Sequence, residues 1–399
     1  MNIRSKFGLR PVINASGTMT GLGASIARPE VIDAVAAILP QFVEIDDLQR
    51  RASNVIATAC GSAAGYITAS ASAGITLTIA ATMTGDDLGL IERLPATDHM
   101  KNEVVVQTGH LVNYGAPLDQ AIRLCGARAI AVGAATEAHG YQLASAINER
   151  TTAALFVVSH HTQQYGMIPL EEFIAVAHAK GVPVIVDAAS EYDLRRFIAA
   201  GADVVLYSAH KFLGGPTAGI VAGSKTLVRA AYFQNGGIGR GMKVGKEGIA
   251  GAIAALQSWA ARDHDAVRAL EHGYLTLWRD RLNNFPGIRA QLDADPTLNP
   301  LDRLKVSVDA VGARITAWDL VDALARTRDG YAPVIARDHE AEQHFFFLDP
   351  CNLHAGEEQQ VLERLVVELE AAQRAPEPIA TPFAQRDARR IAGRRHWPD

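Results

Sequence analysis

Residues 182–219 read VPVIVDAASEYDLRRFIAAGADVVLYSAHKFLGGPTAG, and this stretch decides the fold. Two apolar, β-branched runs, Val182–Asp187 and Val204–Ser208, end in polar residues and are separated by a helical stretch. Continuous apolar strands joined by helices indicate a mainly parallel sheet covered on both faces. In open sheets of this kind, ligands bind beyond the carboxyl ends of the strands. Asp187 closes one run and Lys211 lies just past the other, so a carboxylate and an amine fall at one sheet edge.

The same alternation continues outward. Further strands are expected at Gly65–Thr68, Glu103–Gln107, Ala129–Val132, Ala153–Val158 and Gly219–Ala222, with amphipathic helices such as LEEFIAVAHAK at Leu170–Lys180 between them. After the glycine-rich Gly236–Gly251, the segment Ala252–Asn284 reads as one or two long helices. Beyond Pro286 come short strands (Ile288–Leu292, Leu304–Val308, His344–Leu348) and a final helix at Glu357–Ala372. The expected organisation is an N-terminal segment over 1–50 that completes the active site or interface, a large α/β domain over 51–260, a smaller α+β domain over 261–373, and a tail over 374–399. That tail holds four prolines and an arginine cluster (Arg386, Arg389, Arg390, Arg394, Arg395), which predicts an extended arm or a poorly ordered end.

The totals bound the function. A length of 399 residues suits roughly two domains. Lys plus Arg total 38 against 43 for Asp plus Glu, a balance that predicts neither a nucleic-acid nor a membrane partner. The three cysteines, Cys60, Cys125 and Cys351, form no CxxC pair, which excludes a disulfide framework and suits a reducing cytoplasm. The N-terminus lacks an apolar stretch of signal-peptide length. No metal is expected either: His160 and His161 are adjacent on one turn, SHHTQQYG, without an accompanying carboxylate.

Taken singly, Asp187 reads as a helix-capping aspartate and Lys211 as a solvated lysine. Together with SAHK and the GGP turn that follows, they match what pyridoxal 5'-phosphate chemistry requires. The lysine condenses with the cofactor aldehyde and moves protons at the substrate α-carbon. The aspartate keeps the pyridine nitrogen protonated, so that the ring accepts electrons. TASASAGIT (Thr68–Thr76) follows a strand and opens a helix, so the amides of Ser72, Ala73 and Gly74 are expected to face the cofactor phosphate.

The strand-Asp and Ser-x-His-Lys pattern resembles fold-type-I pyridoxal-phosphate enzymes. LRPVINASGTMTGLG, VEIDDLQRRAS, KNEVVVQTGHLVNYG, VVSHHTQQYGMIPLEEFIAVAHAKGVPVIVDAASEYDLR and GIGRGMKVGKEGI resemble the bacterial selenocysteine-synthase-like proteins, especially the D-glucosaminate-6-phosphate ammonia-lyase group. The resemblance runs from about Leu9 to Ala371. It implies that the His110 ring stacks on the pyridine, that Ser208 and His210 lie near the phosphate, and that His161, Arg240 and Lys243 bind substrate. It further implies a homodimer whose Arg240 or Lys243 reaches the neighbouring site.

The leading expectation is a lyase on a small β-hydroxy or phosphorylated amino acid, giving a 2-oxo acid and ammonia. An aldolase, racemase or aminotransferase would use the same residues. A selenium transferase acting on aminoacyl-tRNA is disfavoured, because true selenocysteine synthases carry an additional N-terminal tRNA-binding domain whereas here LRPVINASG begins at residue 9.

Overall fold

The computed structural model describes residues Ile3 to His396. Its strands, in chain order, are β1 (Ile13–Ala15), β2 (Ala64–Thr68), β3 (Glu103–Gln107), β4 (Arg128–Val132), β5 (Thr151–Val157) and β6 (Val184–Asp187). There follow β7 (Val204–Ser208), β8 (Gly219–Gly223), β9 (Ile288–Ala294), β10 (Asp302–Val308), β11 (Val334–Ala336) and β12 (Phe345–Leu348). The chain divides into two compact units: a larger one of 25–262 with 296–299, and a smaller one of 1–24, 263–295 and 300–399.

The larger unit is built on a seven-stranded sheet in the order β2-β8-β7-β6-β5-β3-β4. Pairings from β7 through β4 are parallel, and β8 runs antiparallel to both neighbours. Each central strand feeds two cores by alternation. Val184 and Val186 point into one and Ile185 into the other, and Val205 with Tyr207 oppose Val204 with Leu206. With both faces buried, every position must be apolar, which is why these strands read as unbroken hydrophobic runs. Edge strand β2 is bonded on its open side by the buried Gln49 amide. Gln49 Nε2 donates to Ile67 O at 2.7 Å, and Ile67 N donates to Gln49 Oε1 at 2.9 Å.

The helix expected to start near Ala252 starts at Lys246 and ends at Ala261; a second runs from His264 to Leu282. Glycines 248 and 251 thus belong to a helix rather than to a loop. A Cβ at Gly251 would lie 2.7 Å from Pro216 Cγ, so close packing is what requires the small residue there.

The smaller unit holds the antiparallel sheet β12-β10-β9 and the parallel pair β1-β11. Its core includes Trp278, Leu304, Val306, Phe346 and Leu365. Arg303 lies buried between Asp295 (2.7 Å) and Asp349 (3.0 Å). The tail differs from the expected extended arm: Phe383–Arg394 is a helix. Arg386, only 3% exposed, donates to Asp322 and Asp338 at 2.7 Å each, and Trp318 Nε1 donates to Thr381 O. The arginine cluster that predicts an extended or poorly ordered tail includes the residue that anchors it, because a buried guanidinium can be matched by two carboxylates. Among the described residues no helix is long and apolar enough to cross a membrane.

Candidate active site

Asp187 is the last residue of β6, and Lys211 sits three residues beyond the end of the paired strand β7. The turn Ser208–Gly215 that carries Lys211 is fixed by its backbone: Lys211 N donates to Ser208 O, Gly214 N to Lys211 O, and Gly215 N to Ala209 O. Gly214 has φ +66°, the left-handed conformation that lets the chain turn there.

The Asp187 carboxylate is 6% exposed, yet the one hydrogen bond drawn to it among the described residues is a long one, from Ala189 N to Oδ1 at 3.3 Å. Desolvation pushes its pKa up from 3.8 to about 6, against the lowering influence of the Ala189 amide and Lys211. Lys211 is shifted down by burial, and the charge of Asp187 opposes that shift. A buried carboxylate short of donors and an amine biased toward its neutral form share one edge of the sheet. This donor set fits a cofactor that brings a protonated ring nitrogen and an aldehyde.

His110 ends a short 3-10 turn after β3 and is 3% exposed. Its Nδ1 accepts the Val157 amide at 3.1 Å, so the neutral ring carries its proton on Nε2. Phe156 meets the ring edge-on at 4.6 Å. Burial lowers its pKa to about 4, and the imidazole is neutral at physiological pH. The unfolded chain therefore binds more protons than the folded one between about pH 4 and 6.5. The resulting stability is fully present above pH 6.5 and is lost as pH falls through about 4, to the extent of ~3 kcal/mol. Asp187 acts with the opposite sign in much of that window, so the difference between variant and wild type is the informative quantity. His110→Asn, which keeps an acceptor for Val157, is expected to flatten the acid loss of stability in urea titrations of cofactor-free protein; an unchanged pH slope would contradict the buried neutral state.

At the start of the helix Ala71–Thr84 the expected anion cradle is narrower than the sequence suggested. Gly74 N donates to Ser70 O (2.9 Å) and Ala73 N to Ser70 Oγ (3.0 Å), so both amides are already used. An N-cap serine satisfies the very donors that the sequence reading assigned to an anion. Gly74 instead serves packing, since a Cβ there would stand 3.2 Å from Leu206 Cδ2. Ser72 keeps its place at the helix mouth, and its hydroxyl lies 3.1 Å from Tyr114 Oη. Tyr114 is raised in pKa, mainly by burial, and feels the charge of Asp187. The sequence reading missed Tyr114, although it sits in the quoted motif GHLVNYG.

Ser208 Oγ and His210 Nδ1 are 3.3 Å apart, and the His210 carbonyl accepts from Ser25 Oγ at 2.6 Å. Burial and the charge of Lys211 lower the His210 pKa. His161 is exposed, lies beside His160 with ring centroids 3.9 Å apart and the rings tilted by 50°, and donates its amide N–H to Ser159 Oγ. Arg240 and Lys243 are also exposed on the segment around the short 3-10 turn Ile238–Met242, and no described ion pair or side-chain hydrogen bond ties them to the Asp187–Lys211 pair.

The fold and this site define the class: a pyridoxal-phosphate-dependent enzyme of fold type I. The chain belongs to the SelA (L-seryl-tRNA selenium transferase) family, whose model matches residues 12–282. It is 39% identical to the D-glucosaminate-6-phosphate ammonia lyase of Salmonella typhimurium over 91% of this chain and 97% of that protein. A 5'-C-glycyluridine monooxygenase-decarboxylase from Streptomyces sp is 36% identical over 90% of each chain. An L-seryl-tRNA(Sec) selenium transferase from Nitratidesulfovibrio vulgaris is 28% identical over 64% of this chain and 56% of its own. Among solved structures, a D-glucosaminate-6-phosphate ammonia-lyase superposes with a TM-score of 0.83 over 94% of this chain and 99% of that one. A Thermus thermophilus aspartate aminotransferase, at 13% identity and a TM-score of 0.56, shares the fold.

Proposed function

We propose that the protein is a pyridoxal-phosphate-dependent ammonia lyase acting on a small β-hydroxy amino acid, in particular a phosphorylated amino sugar acid. The observation that carries this reading is the pairing of a buried Asp187 with a half-buried Lys211 at adjacent strand ends, in a chain similar to an ammonia lyase over nearly its whole length. The cofactor, when bound, supplies an electron sink for the pair left at the substrate α-carbon. Lys211 takes the α-proton. The β-hydroxyl then leaves as water, taking up the proton that Lys211 removed, and the released enamine, through its imine tautomer, adds water to give a 2-oxo acid and ammonia. Asp187 would hold its negative charge against the ring nitrogen, and His110, neutral and fixed by the Val157 amide, would lie against the ring face. Ser72 with Tyr114, and Ser208 with His210, would hold the cofactor phosphate.

The exposed Arg240 and Lys243 would take the substrate's anionic groups in the neighbouring subunit of a homodimer, since a symmetric interface lends the same loop to both sites. A cytoplasmic location fits the three free cysteines, two of them buried. Purified holoenzyme presented with D- and L-β-hydroxy amino acids, free and phosphorylated, should release ammonia and a 2-oxo acid in equal amounts. Oxygen uptake without that stoichiometry would instead align the chain with the monooxygenase-decarboxylase. Sharing of sites has its own test: inactive Lys211→Ala and Arg240→Ala subunits, once exchanged, should form hybrids that regain activity. Confirmed exchange without recovery would place Arg240 outside the neighbour's site.

A further inference from the structure

The loop after Asp187 bridges both members of the pair. Ala188 N donates to Leu206 O, Ser208 N donates to Ala189 O, and Ala189 N reaches the Asp187 carboxylate. Three residues on, the Tyr192 ring packs on Phe212 (centroids 4.4 Å apart) and on Trp259 (4.9 Å), and Phe212 is the residue next to Lys211. A single short loop therefore touches Asp187 at one end and the Lys211 turn at the other.

What holds this loop lies far away in the sequence. Asn299 Oδ1 accepts the Tyr192 amide at 2.9 Å, while its Nδ2 donates to Ser190 O and to Glu191 Oε1, each at 3.3 Å. Thr297 Oγ1 donates to Glu191 Oε1 at 2.9 Å, and Arg196 pairs with Glu191 Oε2 at 3.1 Å while donating to Thr297 O at 3.2 Å. Pro296–Asn299 belongs to the larger unit although the flanking β9 and β10 do not. Between the two inward contacts, Leu298 is 82% exposed with φ +67°. A leucine in the left-handed region is strained, and such a conformation persists only where surrounding contacts over-determine it.

We infer that Asn299 is a positioning residue for the Asp187–Lys211 pair, an inference that rests on the reading of those two residues as the cofactor's partners. Its amide ties Ser190 O and Tyr192 N into one rigid turn. That turn aims the Ala189 amide at Asp187 and backs the Lys211 turn through Tyr192 and Phe212. Losing it frees the loop without removing any group that touches substrate.

The test uses holoenzyme. Asn299→Ala should retain cofactor, lower kcat by about 10- to 100-fold as expected for a misplacement of about an ångström, and leave KM little changed. The visible circular-dichroism band of the bound cofactor, which reports the ring's orientation, should weaken. Leu298→Asn, which suits the left-handed conformation and alters only an exposed side chain, should leave both readouts as in wild type. Should Asn299→Ala fail to fold, Thr297→Val removes the hydroxyl that donates to Glu191 Oε1 and accepts from Asn299 Nδ2, and should weaken the band in the same direction. A wild-type band and kcat in whichever variant folds, with only melting temperature lowered, would overturn the inference. Borohydride fixation of the cofactor on Lys211, measured in parallel, keeps the two levels apart. Fixation elsewhere defeats the reading of Lys211, whereas normal fixation with an unchanged band defeats only the role of Asn299.

Discussion

Borohydride treatment of the holoenzyme is expected to fix the cofactor covalently on Lys211, and Lys211→Ala is expected to lose both that fixation and turnover. The effect should be the largest of any single substitution, because one side chain performs two tasks. As a nucleophile it must present a neutral amine, and burial already lowers its pKa. As a base it must hold the proton taken from the substrate α-carbon, and positioned proton transfer alone contributes about 10²- to 10⁴-fold. Peptide mapping after reduction identifies the modified lysine, and ammonia release measures the loss. A variant that still retains a borohydride-fixed cofactor would remove Lys211 from the centre of the site.

Asp187→Asn is expected to combine two outcomes that a structural aspartate would not give together. Turnover should fall by about 10²- to 10³-fold, because a fixed charge facing the developing carbanion system contributes several kcal/mol. The cofactor-free variant should nonetheless be at least as stable as wild type at pH 7–8. The sign follows from its folded-state pKa of about 6, above the ordinary 3.8. A raised folded-state pKa means that the group's contribution to stability, present below the unfolded pKa, is lost as pH rises through about 6. Removing the ionisable group cancels that loss, worth ~3 kcal/mol at most, while forgoing its attraction for Lys211. Denaturant unfolding at pH 5 and pH 8 beside turnover of the loaded enzyme reads both halves. Near-wild-type turnover with lowered stability would make Asp187 a capping residue.

The sequence alone was enough for the class of fold and for placing Asp187 and Lys211 at one sheet edge. Strands buried on both faces must be continuously apolar, so β3, β5, β6 and β7 announce themselves as runs of Val, Ile, Leu and Ala. Strand ends in a parallel sheet lie at one edge, so Asp187 and Lys211 could be placed together without coordinates. The family was legible for a related reason: motifs such as INASG and QRRAS are residues whose side chains bond backbone. Within the smaller unit, Asn14 Nδ2 donates to Gly17 O; within the larger, Gln49 holds β2.

Other features depended on partners distant in sequence, and only the tertiary structure decided them. The prolines and arginines of the tail predict an extended arm or a poorly ordered end, but Asp322 and Asp338 lie opposite Arg386. Read locally, Ala73 and Gly74 stand open to an anion, but their amides already serve Ser70. Tyr114 reaches Ser72 across 42 residues, and Asn299 reaches Tyr192 across 107. Such contacts leave no local period or spacing, because a hydrogen bond between distant segments constrains only the two groups that meet. Periodicity reports which face of an element is buried, whereas what each buried polar atom bonds to is settled only when the chain closes on itself.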